Sequence, residues 1–367
     1  MRRAVWMALA SGAGVLAIAA CGVGPRGPVT GNGGALHAVG RRSVQVWPDV
    51  PAPADNPLTQ AKVELGFRLW FEPRLSGNDR MSCATCHHHT TGYSNGERHA
   101  AGIRGQRGNR NVPTILAAAG SQEQFWDGRA DSLEAQALGP IENPIEMDAR
   151  LPDVLRKLSE HRYYPQKFQE AFGSGVTAEG LAKAIASFER ALRTKPSAYE
   201  RYLAGDSGAL TPQQVQGLRL FQSERTRCHT CHSGPDLTDR RYHNTGIPLD
   251  PQAPDLGRYL VTGRPVDQAA FKTPTLRNVA RSAPYMHDGS LPTLAAVVEH
   301  YDRGGSAHPQ RDPLLAPLGL SPEEKAALVS FLEAFSAEDN LRDLSRLPGI
   351  RNPRDPRDRP VLPADLN

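Results

Sequence analysis

Two five-residue words constrain this chain more than anything else in it: Cys83-Ala84-Thr85-Cys86-His87 and Cys228-His229-Thr230-Cys231-His232. Each reads C-x-x-C-H, the attachment signature of a c-type haem. The two cysteines of such a word add across the haem vinyl groups. The adjacent histidine reaches the iron as proximal ligand, leaving its other ring nitrogen for a hydrogen-bond acceptor. A structural zinc site would want four ligands, and a redox dithiol belongs in a strand–helix context. The words therefore predict two covalent haem c groups, one on Cys83, Cys86 and His87, the other on Cys228, Cys231 and His232.

Of five cysteines, the four in these words leave only Cys21, so no structural disulfide is available. Cys21 ends an N-terminal stretch in which Arg2 and Arg3 precede an apolar run from Ala4 to Ala20. That run is too short and weakly flanked for a membrane span. Its close, Ile18-Ala19-Ala20-Cys21, resembles the lipobox of bacterial lipoproteins. Residues 1–21 are expected to be a signal peptide, with lipidation at Cys21 anchoring the mature protein to a membrane in the periplasm. Residues 22–57, rich in Gly and Pro, read as a flexible tether.

Hydrophobic residues make up 39% and aromatic residues 6%, which is lean for 367 residues, and two buried haems would supply the missing apolar mass. The 34 glycines and 31 prolines predict long ordered loops. The net charge of +4 is mild and not gathered into a Lys/Arg block, so no nucleic-acid partner is expected.

Periodicity predicts helices. One starts near Thr59 with Val63, Phe67 and Trp70 on a face, and another covers Pro152–Leu158. A third spans Ala178–Arg193, with Leu181, Ile185, Phe188 and Leu192 as its stripe. Thr211-Pro212 opens a fourth, Thr293 caps a fifth, and Ser321-Pro322-Glu323-Glu324 is a capping box for the last. No strand signal is convincing. The expected class is all-α: two tandem cytochrome-c-like domains, residues 58–205 and 206–346, each with one covalent haem c. Residues 347–367 form a Pro-rich tail that should wrap as coil.

The halves repeat. Gly66-Phe67-Arg68-Leu69-Trp70 precedes the first haem word and Gly217-Leu218-Arg219-Leu220-Phe221 the second. Pro113 and Pro274 each precede Thr, and Asp127 and Asp288 each precede Gly, both pairs being offset by 161 (274 − 113 and 288 − 127). In that register Trp126 pairs with His287 and Pro140 with Tyr301. A tyrosine side chain can ligate haem iron and proline has no donor atom. The second iron could therefore gain a sixth ligand where the first stays open. Met286 is a competing thioether ligand, and a core role for Tyr301 is the bland alternative.

These residues resemble the bacterial dihaem cytochrome c peroxidase family, which includes the MauG-type enzymes. The resemblance runs from about Asn56 to Phe335. It rests on both haem words, on Phe125-Trp126-Asp127-Gly128-Arg129-Ala130, on Gly139-Pro140-Ile141-Glu142-Asn143-Pro144-Ile145-Glu146-Met147, and on the segments Thr273–Asn278 and Ala283–Gly289. It implies a peroxide-reactive haem on His87 and an electron-accepting haem on His232, with Trp126 between them. It implies Gln136 and Glu146 in the distal pocket, Glu146 being the acid–base residue. It also implies a calcium ion held by the Asn111 side chain and the carbonyls of Ser282 and Pro284, where the family commonly has threonine in place of Ser282. Tyr301 stands where the electron-transfer peroxidases have methionine and the MauG-type enzymes tyrosine. A loop histidine blocks the first iron in many family members. Here His88 and His89 adjoin the proximal ligand, and His99 lies in a segment unlike the blocking one. Both departures point to the MauG-type branch.

The implied activity is reduction of hydrogen peroxide to water with electrons from a small cytochrome c or cupredoxin. One alternative is a MauG-like enzyme that oxidises residues of a partner protein. The other is a non-enzymatic dihaem electron carrier. A homodimer is compatible with each.

Overall fold

The computed structural model describes residues 52–351, 360 and 362–366. The leader, Cys21 and the tether up to residue 51 lie outside the described residues.

Six helices carry the fold, and each begins where a hydroxyl side chain accepts a hydrogen bond from the first turn. They are α1 (Gln60–Trp70, cap Thr59), α2 (Leu133–Glu142, cap Ser132), α3 (Ala178–Ala191, cap Thr177), α4 (Pro212–Phe221, cap Thr211), α5 (Leu294–Asp302, cap Thr293) and α6 (Pro322–Glu333, cap Ser321). Two further helices, Leu151–Glu160 and Tyr164–Phe172, complete the first half.

In each half the helix before the haem word crosses a later helix at a glycine. A Cβ on Gly66 of α1 would lie 1.9 Å from the Ala184 carbonyl oxygen of α3. A Cβ on Gly217 of α4 would lie 2.0 Å from the Ala327 carbonyl oxygen of α6. Only a residue without a side chain lets the two backbones meet. Phe67, Trp70 and Phe188 pack around the first crossing, and Phe221, Phe331 and Phe335 around the second. Two apolar cores follow, one centred on α1 and α3, the other on α4 and α6.

The repeat holds in three dimensions with its offset of 161 residues. Ala117 and Asn278 both adopt left-handed backbone, at φ 61° and 55°, and a 3-10 turn follows each, at Ala118–Gly120 and Val279–Arg281. The bridges Gln124↔Ala130 and Tyr285↔Leu291 close matching turns. Inside them Phe125 and Met286 share φ values of 68° and 72°. The helices α2 and α5 then start at Leu133 and Leu294. The pairing of Pro140 with Tyr301 is thus a backbone correspondence as well as a sequence one.

Two stretches differ from the expectation. The loop after the second haem word contains a short antiparallel ladder, β1 (Tyr242–His243) on β2 (Phe271–Lys272), whose two-residue strands are too brief to leave a period-2 pattern. The tail from residue 347, expected as coil, carries a short helix at Pro348–Arg351 and a turn at Ala364–Leu366, and a further short helix, Leu341–Ser345, precedes it. Leu341, Ile350 and Leu366 are buried in the core of the first half. There Arg68 of α1 donates to the carbonyls of Gly349 (2.7 Å) and Ile350 (3.1 Å) and stacks on Tyr163. The end of the chain therefore completes the half that its beginning starts.

Candidate active site

The first haem word follows α1, and Cys83–Cys86 forms a single helical turn with His87 at its end. The turn presents both thiols on one side, and all four cysteines of the two words are unpaired. Burial pushes the Cys83 thiol up to about 12 and the Cys86 thiol up to about 11. The His87 ring donates from Nδ1 to the Tyr93 carbonyl at 3.0 Å, which fixes its tautomer and leaves Nε2 as the lone-pair nitrogen. Burial lowers its proton affinity, so the ring is neutral. His232 repeats the arrangement, with Nδ1 donating to the Leu237 carbonyl at 3.1 Å.

Beside the first word opens a cavity of about 680 Å³. Its walls bring together Cys83, Cys86 and His87 with Trp126, Gln136 and Glu146, although these residues are scattered over more than sixty positions. Pro140 lines it too, from the last turn of α2. Proline there removes one helical hydrogen bond and offers the cavity no donor atom. Glu146 sits in the turn after α2, where the Asn143 amide donates to its Oε1 at 2.6 Å. Burial pushes the Glu146 carboxyl up, and Asn143 and then Arg129 offset part of that rise.

Trp126 is pinned from both halves. Its indole nitrogen donates to the Asn111 carbonyl at 2.9 Å, and its own carbonyl accepts from the Lys272 backbone at 2.8 Å. Its repeat partner, His287, stacks on Phe271 of β2 with ring centroids 3.5 Å apart. Tyr301, in the last turn of α5, is partly buried beside Cys228 and Cys231; burial first, then those thiols, push its phenol up. Met286 holds the turn position that Phe125 holds in the first half, and Phe125 is a cavity residue. His99 is engaged by the Asp288 carbonyl at 3.1 Å, and His88 and His89 stack on each other. Asn111 is buried, and its amide donates to the carbonyls of Glu97 (2.9 Å) and Arg98 (3.2 Å). Its backbone nitrogen donates to the His287 carbonyl at 2.7 Å, which docks it on the loop that carries Ser282 and Pro284.

A sequence profile of di-haem cytochrome c peroxidases matches residues 60–208. The methylamine utilization protein MauG of Methylorubrum extorquens (strain AM1) is 39% identical over 303 residues, covering 82% of this chain and 85% of that protein. The cytochrome c551 peroxidase of Nitrosomonas europaea is 34% identical over 308 residues, covering 83% and 89%. A crystal structure of a MauG-like protein associated with microbial copper homeostasis superposes with a TM-score of 0.76 at 30% identity, covering 85% of this chain and 98% of that one. This chain belongs to the di-haem cytochrome c peroxidase family.

For a di-haem peroxidase the two words mean two haem c groups, and the donor set fits them. Each word offers two unpaired thiols and one neutral, oriented imidazole, and the first word opens on a cavity of ligand size. The family's oxidoreductase chemistry on peroxide then belongs to this chain.

The structure of this family member adds residues that the sequence did not single out. Asn143 and Arg129 act on Glu146. Arg110 bridges Asp127 of the first half (2.6 Å) and Asp255 of the second (2.6 Å). Lys272 reaches from β2 into the cavity wall, where its ammonium donates to the Glu123 carbonyl at 2.6 Å. Burial lowers Lys272 to about 8. The Arg110–Asp255 and Lys272–Glu123 contacts depend on long-range approaches that no local spacing announces, whereas Asn143 lies only three residues from Glu146. Cys231, Asp239 and His243 also converge. However, Cys231 belongs to a haem word, and both His243 nitrogens are taken, by Asp239 (2.9 Å) and Asp312 (2.6 Å). This is an ion-pair cluster that fixes β1 to the second word.

Proposed function

We propose that this di-haem peroxidase reduces hydrogen peroxide to water at the first cavity, using electrons that a small periplasmic cytochrome c or cupredoxin delivers at the second haem. The supporting observation is the shared wall of His87, Gln136 and Glu146 around one cavity. Bound haem supplies an iron coordination site for peroxide and the redox equivalents at both words. Glu146 takes a proton from the near peroxide oxygen and returns it to the far one. Asn143 keeps the carboxylate aimed, and Gln136 offers an amide to the same space. Trp126, held from both halves, is the relay between the sites. Pro140 would leave the cavity side of the first haem without a protein donor, and Tyr301 would stand at the corresponding position beside the second.

Glu146→Gln keeps the size of the side chain and removes its base. The reaction with peroxide should slow at least ~100-fold in stopped-flow mixing, with both haems still attached. An unchanged rate removes Glu146 from the reaction. Tyr301→Phe should change the absorption spectrum of one haem only.

The tyrosine at the Pro140-equivalent position, together with the similarity to MauG, favours a second reading, oxidation of residues in a partner protein. Steady-state turnover of peroxide with reduced small cytochromes supports the first reading. Peroxide consumption without any such turnover supports the second. We also propose that the Asn111 side-chain oxygen and the carbonyls of Ser282 and Pro284 hold calcium, an all-oxygen set suited to a hard cation. Elemental analysis that found no calcium in the isolated protein would remove it. The two-domain division, the anchor at Cys21 and the periplasmic location belong to the same reading. Mass spectrometry of the membrane fraction tests the anchor.

A further inference from the structure

Besides Asp127 and Asp255, which Arg110 pairs, the first cavity has a carboxyl that the reaction above does not use. Glu189, near the end of α3, is 5% exposed and lines the same cavity as His87 and Glu146, and its carboxyl makes no hydrogen bond to any described residue. Its neighbours do not neutralise it. Arg190, the adjacent cation, is committed to Glu134 of α2 through two bonds of 2.6 and 2.9 Å. The helix α1, packed against α3, brings Trp70 to this wall. The charged side chains of α1 are engaged elsewhere: Lys62 with Asn56, Glu64 with Gln60, and Arg68 with the carbonyls of Gly349 and Ile350. From the haem word the group it acts on is Cys83, which also feels Glu146. Burial pushes the Glu189 carboxyl up to about 8, with Arg190 lowering it in part and Glu134 raising it.

A buried carboxyl without a partner is costly, and sites that keep one usually use it. Here it faces the space that a haem on Cys83 and His87 would fill. Oxidising that haem adds a positive charge close to Glu189 in a low-dielectric wall, which favours the carboxylate; reduction favours the acid.

We propose that Glu189 is the proton partner of the first haem. It takes one proton from solvent as an electron from the donor protein arrives, and gives that proton back when the electron leaves. Charge in the cavity then changes little with redox state. The inference rests on the reading that seats the first haem in this cavity, but needs no peroxide turnover.

The test uses the holoprotein with both haems. The midpoint potential of each haem is followed by spectropotentiometry over a pH range spanning neutrality. One haem should show a potential that falls with rising pH over a limited window, approaching the one-proton limit of a tenfold equilibrium shift per pH unit, ~59 mV. It should be the haem whose spectrum Tyr301→Phe leaves alone. In Glu189→Gln that slope should vanish, and the potential above the window should lie higher than in the unaltered protein, because a negative charge has gone. Glu189→Asp should keep a slope. A slope that survives in Glu189→Gln, or that is lost in Glu146→Gln instead, overturns the proposal. If the variant does not load haem, the reduced-minus-oxidised infrared difference spectrum of the unaltered protein decides. A carboxylic-acid carbonyl band must change with redox state, and its absence rejects Glu189. Loss of peroxide turnover with the slope intact would count against the peroxidase reading alone.

Discussion

In the proposed reaction, proton transfer at Glu146 depends on one neighbour that the sequence placed beside it without explaining. Burial raises the carboxyl, and the Asn143 amide, 2.6 Å from Oε1, holds it down. The proposed reaction starts with Glu146 as the base, so activity should fall as pH drops through its pKa. In Asn143→Ala the carboxylate loses its donor and its proton affinity rises further. The acid limb of kcat/KM should therefore move to higher pH, while the alkaline limb stays. An unmoved acid limb would mean that Asn143 is structural only. The haem-binding residues were legible because covalent attachment demands a contiguous word. Glu146 was not legible on its own, since exposed glutamates are the norm. It became readable only through its resemblance to a known segment. Glu189 and Arg110 gave no signal, because burial and long-range pairing are properties of the packed chain.

At the scale of elements, the legible helices were α1, α3, α4, α5 and α6, which join an apolar stripe to a hydroxyl cap, and Leu151–Glu160, which shows its pattern without such a cap. The helix α2 was hidden by its interior Gly139 and Pro140, residues that oppose a helix locally and survive because tertiary packing overrides propensity. The tail was hidden for a similar reason. Its Pro/Arg/Asp composition reads as coil, yet Ile350 and Leu366 find a core that α1 and α3 had already built. The glycine crossings make a prediction of their own. Gly66→Ala and Gly217→Ala each place a methyl against a backbone carbonyl that cannot rotate away. Each should cost ~1–3 kcal/mol in denaturant unfolding, the range for overpacking a tight core. A methyl on Gly175 would meet nothing within 4 Å, so Gly175→Ala is the control and should stay within ~0.5 kcal/mol. Equal effects at all three positions would mean that the crossing does not set the outcome.

For the whole molecule, the joint between the halves matters most, because the proposed reaction needs electrons to pass from the His232 side to the His87 side. Arg110 is the central rivet, bonded to Asp127 from its own half and to both oxygens of Asp255 from the other. Its side chain is 18% exposed, and those of Asp127 and Asp255 are 5% and 10% exposed, so little water can replace it. Burial raises the Asp255 carboxyl, and Arg110 more than cancels that rise, leaving its pKa depressed. A depressed carboxyl contributes stability that is present above its unfolded pKa, ~3.9, and is lost as pH falls through the folded value. Arg110→Met keeps the length of the side chain and removes the charge. Asp255 would then keep the desolvation without the cation, so its folded pKa should rise and the sign of its contribution should reverse. The variant should lose ~3 kcal/mol at neutral pH, the usual result of stranding a buried charge. The deficit should shrink as the medium is acidified and Asp255 takes up a proton. Urea unfolding at several pH values, followed separately at the two haems, measures this. A deficit that stays constant with pH would assign the loss to packing alone. If the rivet also sets the alignment of Trp126, electron transfer between the haems should slow in the same variant, even at pH values where its fold has recovered.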